Sequence, residues 1–413
     1  MDPTADLTMV DDAALVASFD LENLSPAFFE DPYRTYAALR RRSPVHRCAD
    51  GSMLLTRHAD LDAVYRDRTH FSSDKRAVFA PKYGAGTPLY EHHTSSLVFN
   101  DPPYHTRVRR QIVGALSPTA IRGMVPGLER LVDELCDGMA RRGSVDLIEE
   151  YAAAIPVEVI GNLLRVPRDE RGPLRDWSLA ILGALDPGRS AADLEAGQRG
   201  VVEFLEFTRR LVDERRRRLA GEDDLLSRLI RDETGGEPLT EHELLHNCIF
   251  LLNAGHETTT NLIGNGLALL LSDDGQRRRL AAQPELIDRA VEECLRFESS
   301  NQLGNRLVVE SIEIGGQTFE PGTYLTLCIG AANRDPAAFA NPDQFDIGRE
   351  PNRHLAFAAG GHACAGMSVA RLEGQVAIAA FLGRFPGARL LPGARRNQRA
   401  RFRGFAILPA AIE

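Results

Sequence analysis

One cysteine of the chain, Cys364, stands in a loop of small residues that reads AFAAGGHACAG from position 356 to 366. His362 precedes it by two positions, and Gly360 and Gly366 flank it. Glycines allow the backbone to approach a flat ligand closely, and the helix that we predict directly after the cysteine favours a thiolate over a thiol. Because a thiolate is a strong donor to iron, Cys364 is the candidate iron ligand. The other cysteines are interpreted as inert buried residues: Cys48, Cys136, Cys248, Cys294 and Cys328.

A second stretch, LLNAGHETTTN, places a carboxylate and three threonines in the middle of a long predicted helix. Gly255 costs ~1 kcal/mol there relative to alanine, and Glu257 interrupts an apolar run. A glycine used for close helix packing, with threonines bonded to the preceding turn, explains this pattern as well as function does. The functional explanation is proton delivery by a positioned acid, Glu257, and a neighbouring hydroxyl, Thr258.

The elements that must position these residues are mostly helices. The longest begins after Thr240, where Thr240 and Glu243 fit a capping box. It continues to about Leu271 and spans roughly 48 Å at ~1.5 Å per residue. Helical periodicity dominates from about residue 101 to 300, while segments at about 45–60 and 305–330 predict strands. We therefore predict a mainly α chain with a smaller β portion (α+β), as one domain over residues 1–413, because no boundary is clean enough to divide it.

Composition and charge exclude several classes of protein. The formal net charge is −9, so there is no general basic surface for nucleic acid. The cysteines form no CxxC pair, which argues against a zinc site and a disulfide framework and fits a reducing compartment. The acidic N-terminus lacks the basic start and apolar core of a signal peptide, and no run of about 18 apolar residues could cross a membrane. We therefore expect a cytoplasmic protein.

The cysteine loop resembles the haem-binding signature of the cytochrome P-450 superfamily, F-G-x-G-x-H-x-C-x-G. Phe357, Gly360, His362, Cys364 and Gly366 match it. The resemblance implies that Cys364 is the axial ligand of haem iron, that Phe357 packs near the thiolate and that His362 bonds a haem propionate. Ordered motifs from DPYRTYAALR to FRGFAILP are similar to those of the soluble bacterial class. The resemblance thus covers nearly the whole chain and implies the cytochrome P-450 fold, with a long central helix over a buried haem b (heme, iron protoporphyrin IX).

One position of the loop departs from the signature. Ala358 stands where the family usually has glycine. The exchange is small, so we expect a slight shift of the loop, intact ligation and at most a small change in the iron potential.

The defect in the long helix also has a counterpart in this family. AGHET, residues 254–258, resembles the oxygen-activation motif A/G-G-x-D/E-T. The resemblance implies that the small residues Ala254 and Gly255 let the helix approach the haem and open locally for dioxygen. Glu257 is then similar to the acid that connects bulk water to the site, and Thr258 to the alcohol that holds a hydrogen-bonded water.

EECLR resembles the E-x-x-R motif of the family through Glu293 and Arg296. Residues three apart share a helix face and can pair. A third partner usually precedes the cysteine loop, and NPDQFDIGR makes Arg349 the candidate. The three residues are expected to hold the proximal loop rather than to take part in chemistry.

DPPYHTRVRR resembles the haem-contacting helix of the family. His105 and Arg109 are four residues apart, share one face and offer donors to anionic propionates. Arg306 in LGNRLVVE is similar to another propionate arginine. Arg107 and Arg110 point elsewhere, and two roles remain open for them: a solvated face, or a docking surface for an acidic ferredoxin.

The substrate pocket is placed by analogy alone. The segment after LRF reads ESSNQLGNR and lacks the proline that the family usually has there. Gln302 or Asn301 could therefore offer a polar contact. Position relative to the matched motifs assigns the other candidates to the pocket: Val98, Ile181, Leu185, Phe250, Ala254 and Phe402.

We therefore expect a haem-thiolate monooxygenase that inserts one oxygen atom of O2 into a small organic substrate by hydroxylation, epoxidation or O-dealkylation. No fused flavin or iron–sulfur domain is visible, so electrons are expected from NAD(P)H through a separate reductase and a separate ferredoxin, with the P-450 as a monomer. An H2O2-driven peroxygenase and a non-catalytic haem-based gas sensor are alternatives on the same fold. The Glu257–Thr258 pair disfavours both.

Overall fold

The computed structural model describes residues 11–218, 224–231 and 237–412. Most of these residues are helical. The labelled α-helices, in chain order, are α1 (Pro26–Glu30), α2 (Tyr33–Arg42), α3 (His58–Arg66), α4 (Arg76–Tyr83), α5 (Pro88–Ser95), α6 (Tyr104–Ala115), α7 (Pro118–Ala140), α8 (Ala154–Leu163), α9 (Leu174–Gly183), α10 (Ala191–Arg217), α11 (Leu225–Arg231), α12 (Glu241–Ser272), α13 (Asp274–Ala282), α14 (Ile287–Phe297), α15 (Ile329–Ala332) and α16 (Met367–Arg384). Short 3-10 or π segments lie at Leu97–Phe99, Ile148–Ala152, Arg168–Glu170, Pro284–Leu286 and Gly360–His362.

The strands form a smaller part of the fold. They are β1 (Val45–Arg47), β2 (Met53–Leu55), β3 (Phe71–Ser72), β4 (Ser144–Asp146), β5 (Leu303–Val308), β6 (Ile312–Ile314), β7 (Gln317–Phe319), β8 (Tyr324–Cys328), β9 (Arg389–Leu390), β10 (Arg395–Arg396), β11 (Phe405–Ile407) and β12 (Pro409–Ala411). The largest sheet has the order β1-β2-β8-β5-β3, in which only β2 and β8 run parallel. β4-β12-β9 form a second sheet, and β6–β7 and β10–β11 are hairpin pairs. The prediction of a mainly α chain with a smaller β portion is confirmed.

The central helix α12 begins and ends where the sequence predicts. Its N-cap is Thr240: the hydroxyl accepts a hydrogen bond from the Glu243 N–H at 3.2 Å, and Glu243 Oε2 accepts one from the Thr240 N–H at 2.8 Å. The helix then runs for 32 residues. Most of its side chains are buried, so the buried polar residues along it require either internal partners or a function.

The hydrophobic core forms on both sides of the central helix. Leu262 and Leu267 belong to a cluster with Phe381 of α16, and Leu252 belongs to a second cluster with Phe204 of α10. Each such fully buried side chain contributes ~1.5–3 kcal/mol relative to exposure. Packing on both sides fixes the rotation of α12, and therefore decides which of its residues face the cavity described below.

The described part of the chain contains no helix that is both long enough and apolar enough to cross a membrane.

Candidate active site

One face of α12 is open to a large cavity. Phe250, Ala254 and Thr258 recur every four residues, share this face and line the cavity, together with Gly255. Ala254 is exposed to it although the helix around it is buried. Small side chains at this turn leave room for a flat group against the helix.

Another wall of the cavity is the loop that carries Cys364. The Cys364 N–H donates to the Phe357 carbonyl at 2.9 Å, and Gly366 is the N-cap of α16. Burial raises the pKa of the Cys364 thiol, while the Gly366 N–H and the charges of Arg109 and Arg371 act in the opposite direction. The helix terminus contributes as expected, but burial outweighs it. A bound metal ion, which deprotonates a coordinating thiol, would therefore be what favours the thiolate.

The cysteine loop contains two residues with left-handed backbone. Gly360 has φ +68°, and a Cβ on it would lie 2.2 Å from the Tyr65 carbonyl oxygen. Gly360 therefore lets the loop rest on the end of α3; it does not line the cavity, and its approach to the cofactor stays a prediction. Ala358 has φ +55°, a conformation that costs a non-glycine residue ~1–2 kcal/mol. This explains why glycine is usual at that position.

Basic side chains gather at one edge of the cavity. The rings of His105 and His362 stack with centroids 3.8 Å apart, and His105 Nε2 is buried without a partner among the described residues. Burial, and after it the charges of Arg109 and Arg306, lower the pKa of His105 to about 4, and the pKa of His362 is lowered further. Donors of one sign, with a free Nε2 among them, fit the two anionic propionates of a haem group.

The acid of the central helix faces away from the cavity. Glu257 is 3% exposed, and Arg399 Nη1 lies 2.9 Å from its Oε1 and 2.8 Å from its Oε2. Burial raises the pKa of Glu257 to about 7, and the charge of Arg399 opposes that rise. Thr258 lines the cavity, and its hydroxyl donates to the Ala254 carbonyl at 2.8 Å. The acid and the alcohol thus belong to consecutive residues: the Thr258 hydroxyl lies at the cavity, and the Glu257 carboxylate lies on the side of the helix that faces away from it.

Comparison with known proteins shows which family has this arrangement. The family model described as "Cytochrome P450" matches residues 193–387. The chain is 35% identical to the biotin biosynthesis cytochrome P450 of Bacillus subtilis over 372 residues, which are 89% of this chain and 92% of that protein. It is 37% identical to the cytochrome P450 monooxygenase PikC of Streptomyces venezuelae over 377 residues, 89% and 87% of the two chains.

The chain belongs to the cytochrome P450 family. The crystal structure of P450BioI, in complex with an acyl carrier protein ligated to hexadec-9Z-enoic acid, is similar with a TM-score of 0.88 at 33% identity, covering 94% of this P450 and 100% of that chain. Both the family and the fold predicted from the sequence are confirmed. Enzymes of this family use haem b and O2, and this P450 is a haem-thiolate monooxygenase.

Three residues predicted to support the cysteine loop meet at one buried carboxylate of the P450. Glu293 and Arg296 are both 0% exposed. Arg296 donates from Nε and Nη2 to the two Glu293 oxygens at 2.8 Å each, and Arg349 Nε lies 3.1 Å from both. Arg296 also donates to the carbonyls of Asn333 and Pro342. The cluster ties α14 to the segment that leads into the cysteine loop.

The two remaining arginines of α6 have different surroundings. Arg107 forms an ion pair with Glu243 of the α12 capping box and donates to the Pro238 carbonyl at 3.3 Å. It therefore ties α6 to the start of α12 and is only partly exposed, and the two roles left open for it stay predictions. Arg110 is exposed.

Most of the residues predicted for the substrate pocket line the cavity: Val98, Ile181, Leu185, Phe250, Ala254 and Phe402. Gln302 does not line the cavity, and its contact with substrate stays a prediction. Its Nε2 donates to the Ser299 carbonyl at 2.7 Å, and its Oε1 packs against Gly330. Asn301, the alternative, lines the cavity beside Ser300 and pairs as a β-bridge with Phe402.

The sequence analysis missed three charged residues at this site. Glu373 of α16 lines the cavity, burial raises its pKa to about 8, and its Oε2 has no partner among the described residues. Its signal was a carboxylate four residues after buried Val369, on the apolar side of the helix. Arg399 and Arg401 gave no such signal, because five arginines lie between positions 395 and 403.

Proposed function

We propose that this P450 inserts one oxygen atom of O2 into a small apolar substrate, with Cys364 as the axial ligand of the haem iron. One juxtaposition supports this: the Cys364 loop and the turn from Ala254 to Thr258 line the same cavity. The reaction is a hydroxylation, an epoxidation or an O-dealkylation. Electrons come from NAD(P)H through a separate reductase and ferredoxin, and the enzyme acts as a monomer in the cytoplasm.

In this proposal the basic cluster holds the propionates of the cofactor. His105 Nε2 has no hydrogen-bond partner in the part of the chain that the structure describes, and Arg109, Arg306 and His362 line the same edge of the cavity. Phe357 covers the cysteine side, where the Arg371 guanidinium lies 4.8 Å from the centre of its ring. The buried Glu293 cluster keeps the loop rigid, because an ion pair with this many hydrogen bonds has one favoured geometry.

Bound haem would supply the iron at which dioxygen binds and is reduced, and the chain would supply the protons. Glu257, with a pKa of about 7, exchanges protons readily at neutral pH. The Thr258 proton is engaged by the Ala254 carbonyl, so the Thr258 oxygen keeps its lone pairs for a water molecule. We propose that the Glu257 side chain separates from Arg399, rotates towards this water and donates a proton to it, replacing the proton that the water has passed on.

An apolar substrate suits the wall of the cavity, to which Val98, Ile181, Leu185, Phe250 and Phe402 contribute. A site of this kind binds mainly by burying hydrocarbon and is oriented by few polar groups. The complex of P450BioI holds hexadec-9Z-enoic acid on its carrier protein, which agrees with a long apolar substrate for a related fold.

The ligand assignment is tested by the reduced carbonmonoxy spectrum. The purified protein should contain haem b and show the red-shifted Soret band of thiolate ligation, and Cys364→Ala should abolish that band. Cys136→Ala is the matched control, because Cys136 is buried in the α7 core and does not line the cavity. A band that survives Cys364→Ala would refute the assignment. Product formation that requires H2O2 and ignores NAD(P)H would favour the peroxygenase alternative.

A further inference from the structure

Arg401 places a guanidinium in the cavity wall without an ion-pair partner among the described residues. Its Nη1 donates to the Leu303 carbonyl at 3.0 Å, and its Nε is buried without a hydrogen-bond partner among the described residues. No carboxylate of the described chain lies within ion-pair distance of it. An arginine stays charged at any physiological pH, and charged groups removed from water are normally paired.

The carboxylates nearest to this wall are already engaged or neutral. Asp186 accepts hydrogen bonds from the backbone N–H groups of Ala400 and Arg401, at 3.2 Å each, rather than from the guanidinium. Glu373, whose pKa is about 8, is mostly protonated at neutral pH. Burial raises the pKa of Asp186 and the charge of Arg401 acts against that rise, but no carboxylate of the described residues forms an ion pair with the Arg401 guanidinium.

The lowered pKa values of neighbouring groups reflect burial and the positive charge around Arg401. Burial first, and then neighbouring arginines that include Arg401, lower the pKa of both Lys75 and Lys82 to about 7. Lys82 and Arg401 also contribute to the lowered pKa of His93, after burial. The chain carries a net charge of −9, so this positive excess is a local property of the cavity and not of the whole protein.

Three polar side chains with free hydrogen-bonding atoms line the cavity with Arg401. His93 Nε2, Ser300 Oγ and Asn301 Oδ1 are buried without partners among the described residues. Ser300 and Asn301 lie directly across from Arg401 and Phe402, since the Arg403 N–H donates to the Ser300 carbonyl and Asn301 bridges Phe402. Unpartnered polar atoms around one cation describe a subsite for a polar group, set in an otherwise apolar wall.

Resting on the function proposed above, we propose that the substrate carries a carboxylate at the end of its apolar body, and that Arg401 binds this carboxylate beside His93 and Ser300. The substrate carboxylate then supplies the ion-pair partner that the described residues do not give Arg401. Charge-assisted bonds of arginine to a carboxylate are strong and directional. Arg401 thus selects the substrate by its acid group and fixes which end of it enters the pocket first.

The test is a binding titration with straight-chain carboxylic acids of 8 to 14 carbons and the primary alcohols of equal length. Binding is followed by the shift of the ferric Soret band and, independently of the haem spectrum, by calorimetry. In the wild-type enzyme at least one acid should bind ~10-fold or more tightly than its alcohol, as expected for a hydrogen-bonded charge. Arg401→Gln should remove this preference and change the affinity for the alcohol by less than ~3-fold. Arg401→Lys should retain part of it.

Arg395→Gln is the matched control, because Arg395 is exposed on β10 of the same C-terminal segment and its loss removes the same charge outside the cavity. Equal affinity for acid and alcohol, tighter binding of the alcohol, or no binding of any acid of the series would overturn the proposal. Loss of haem in Arg401→Gln, with acid and alcohol weakened alike, would also overturn it by making Arg401 a propionate ligand. An enzyme with the thiolate band but no acid preference refutes this inference alone, whereas absence of the band refutes the proposed function.

Discussion

Arg399 binds both carboxylate oxygens of Glu257 through Nη1, at 2.8 and 2.9 Å, and the Leu179 carbonyl of α9 through Nη2, at 3.0 Å. One guanidinium from the C-terminal segment thus joins the acid of the central helix to a second helix that borders the cavity. A buried carboxylate held in this way has a strong preference for its partner. Any route that carries protons through Glu257 to Thr258 must therefore include the opening of this pair.

Replacing Arg399 by glutamine should move the pH profile of the reaction. The charge of Arg399 lowers the pKa of Glu257, so its loss raises that pKa above about 7. A proton donor works only while it is protonated, so the alkaline limb of product formed per NAD(P)H should shift to higher pH. Arg395→Gln serves as the control and should keep the wild-type profile. An Arg399→Gln profile that overlays the wild type between pH 6 and 9 would separate Glu257 from proton delivery.

Removing the hydroxyl of Thr258 should uncouple electron use from product. Thr258→Ala keeps the shape of the helix but leaves no oxygen to hold a water molecule at the cavity. We expect normal haem content and substrate binding, with NAD(P)H electrons diverted to hydrogen peroxide. Thr258→Ser restores the hydroxyl and should restore most of the coupling. The measurement is the ratio of product to peroxide, and an unchanged ratio in Thr258→Ala would contradict the role.

Ala358→Gly should leave ligation intact and make the protein slightly more stable. Its φ of +55° costs alanine ~1–2 kcal/mol, which glycine does not incur. Glycine in turn loses about 0.4–1 kcal/mol through its freer unfolded chain. The expected net gain in the free energy of unfolding is ~0.5 kcal/mol, measured by urea denaturation of the haem-loaded protein. Ala358→Val should be destabilising, because a β-branched residue tolerates positive φ least; equal stability of all three would show that the turn relaxes freely.

Glu373→Gln should change the pH dependence of stability. Burial raises the pKa of Glu373 from its ordinary 4.5 to about 8, so between these values the folded chain holds a proton that the unfolded chain has lost. Wild-type stability from this group therefore falls as pH rises through that window. The glutamine variant has no titrating group at this position. Its free energy of unfolding relative to wild type should therefore grow by up to ~1.4 kcal/mol for each unit by which the pH rises within this window. Denaturant unfolding at pH 5.5 and pH 7.5 measures this, and a constant difference would place Glu373 in contact with water or a partner.

The sequence predicted best those features that depend on local pattern. The capping box of Thr240 and Glu243 located the start of α12, because a cap involves residues three apart. The Glu293–Arg296 pair follows from helix spacing in the same way. Arg349 was found only because the family motif orders the segments, since it lies 56 positions from Glu293.

The sequence did not predict contacts between segments that are far apart in the chain. It also did not predict which of two adjacent residues of an extended segment points into the cavity. The Arg399–Glu257 pair spans 142 positions, and no periodicity reports such a contact. Gln302 and Asn301 lie in an extended segment, where adjacent side chains point to opposite sides, and the family pattern did not distinguish between them. Gly360 matched the signature, but the close approach of the Tyr65 carbonyl oxygen, which also requires glycine there, was not visible in the sequence.

The burial of Lys75, one of the two lysines of the chain, makes it possible to measure how fast the structure around it opens. Lys75 is 0% exposed and Lys82 is half-buried, so the Lys75 amine is closed to solvent in the folded protein. Burial lowers the pKa of Lys75 to about 7, and when the surrounding structure opens, the amine returns to water and becomes accessible to an acylating reagent. Acylation of Lys75 then proceeds only as fast as the region around it opens. Mass spectrometry of that one modification would therefore measure the rate of local opening beside the basic cluster.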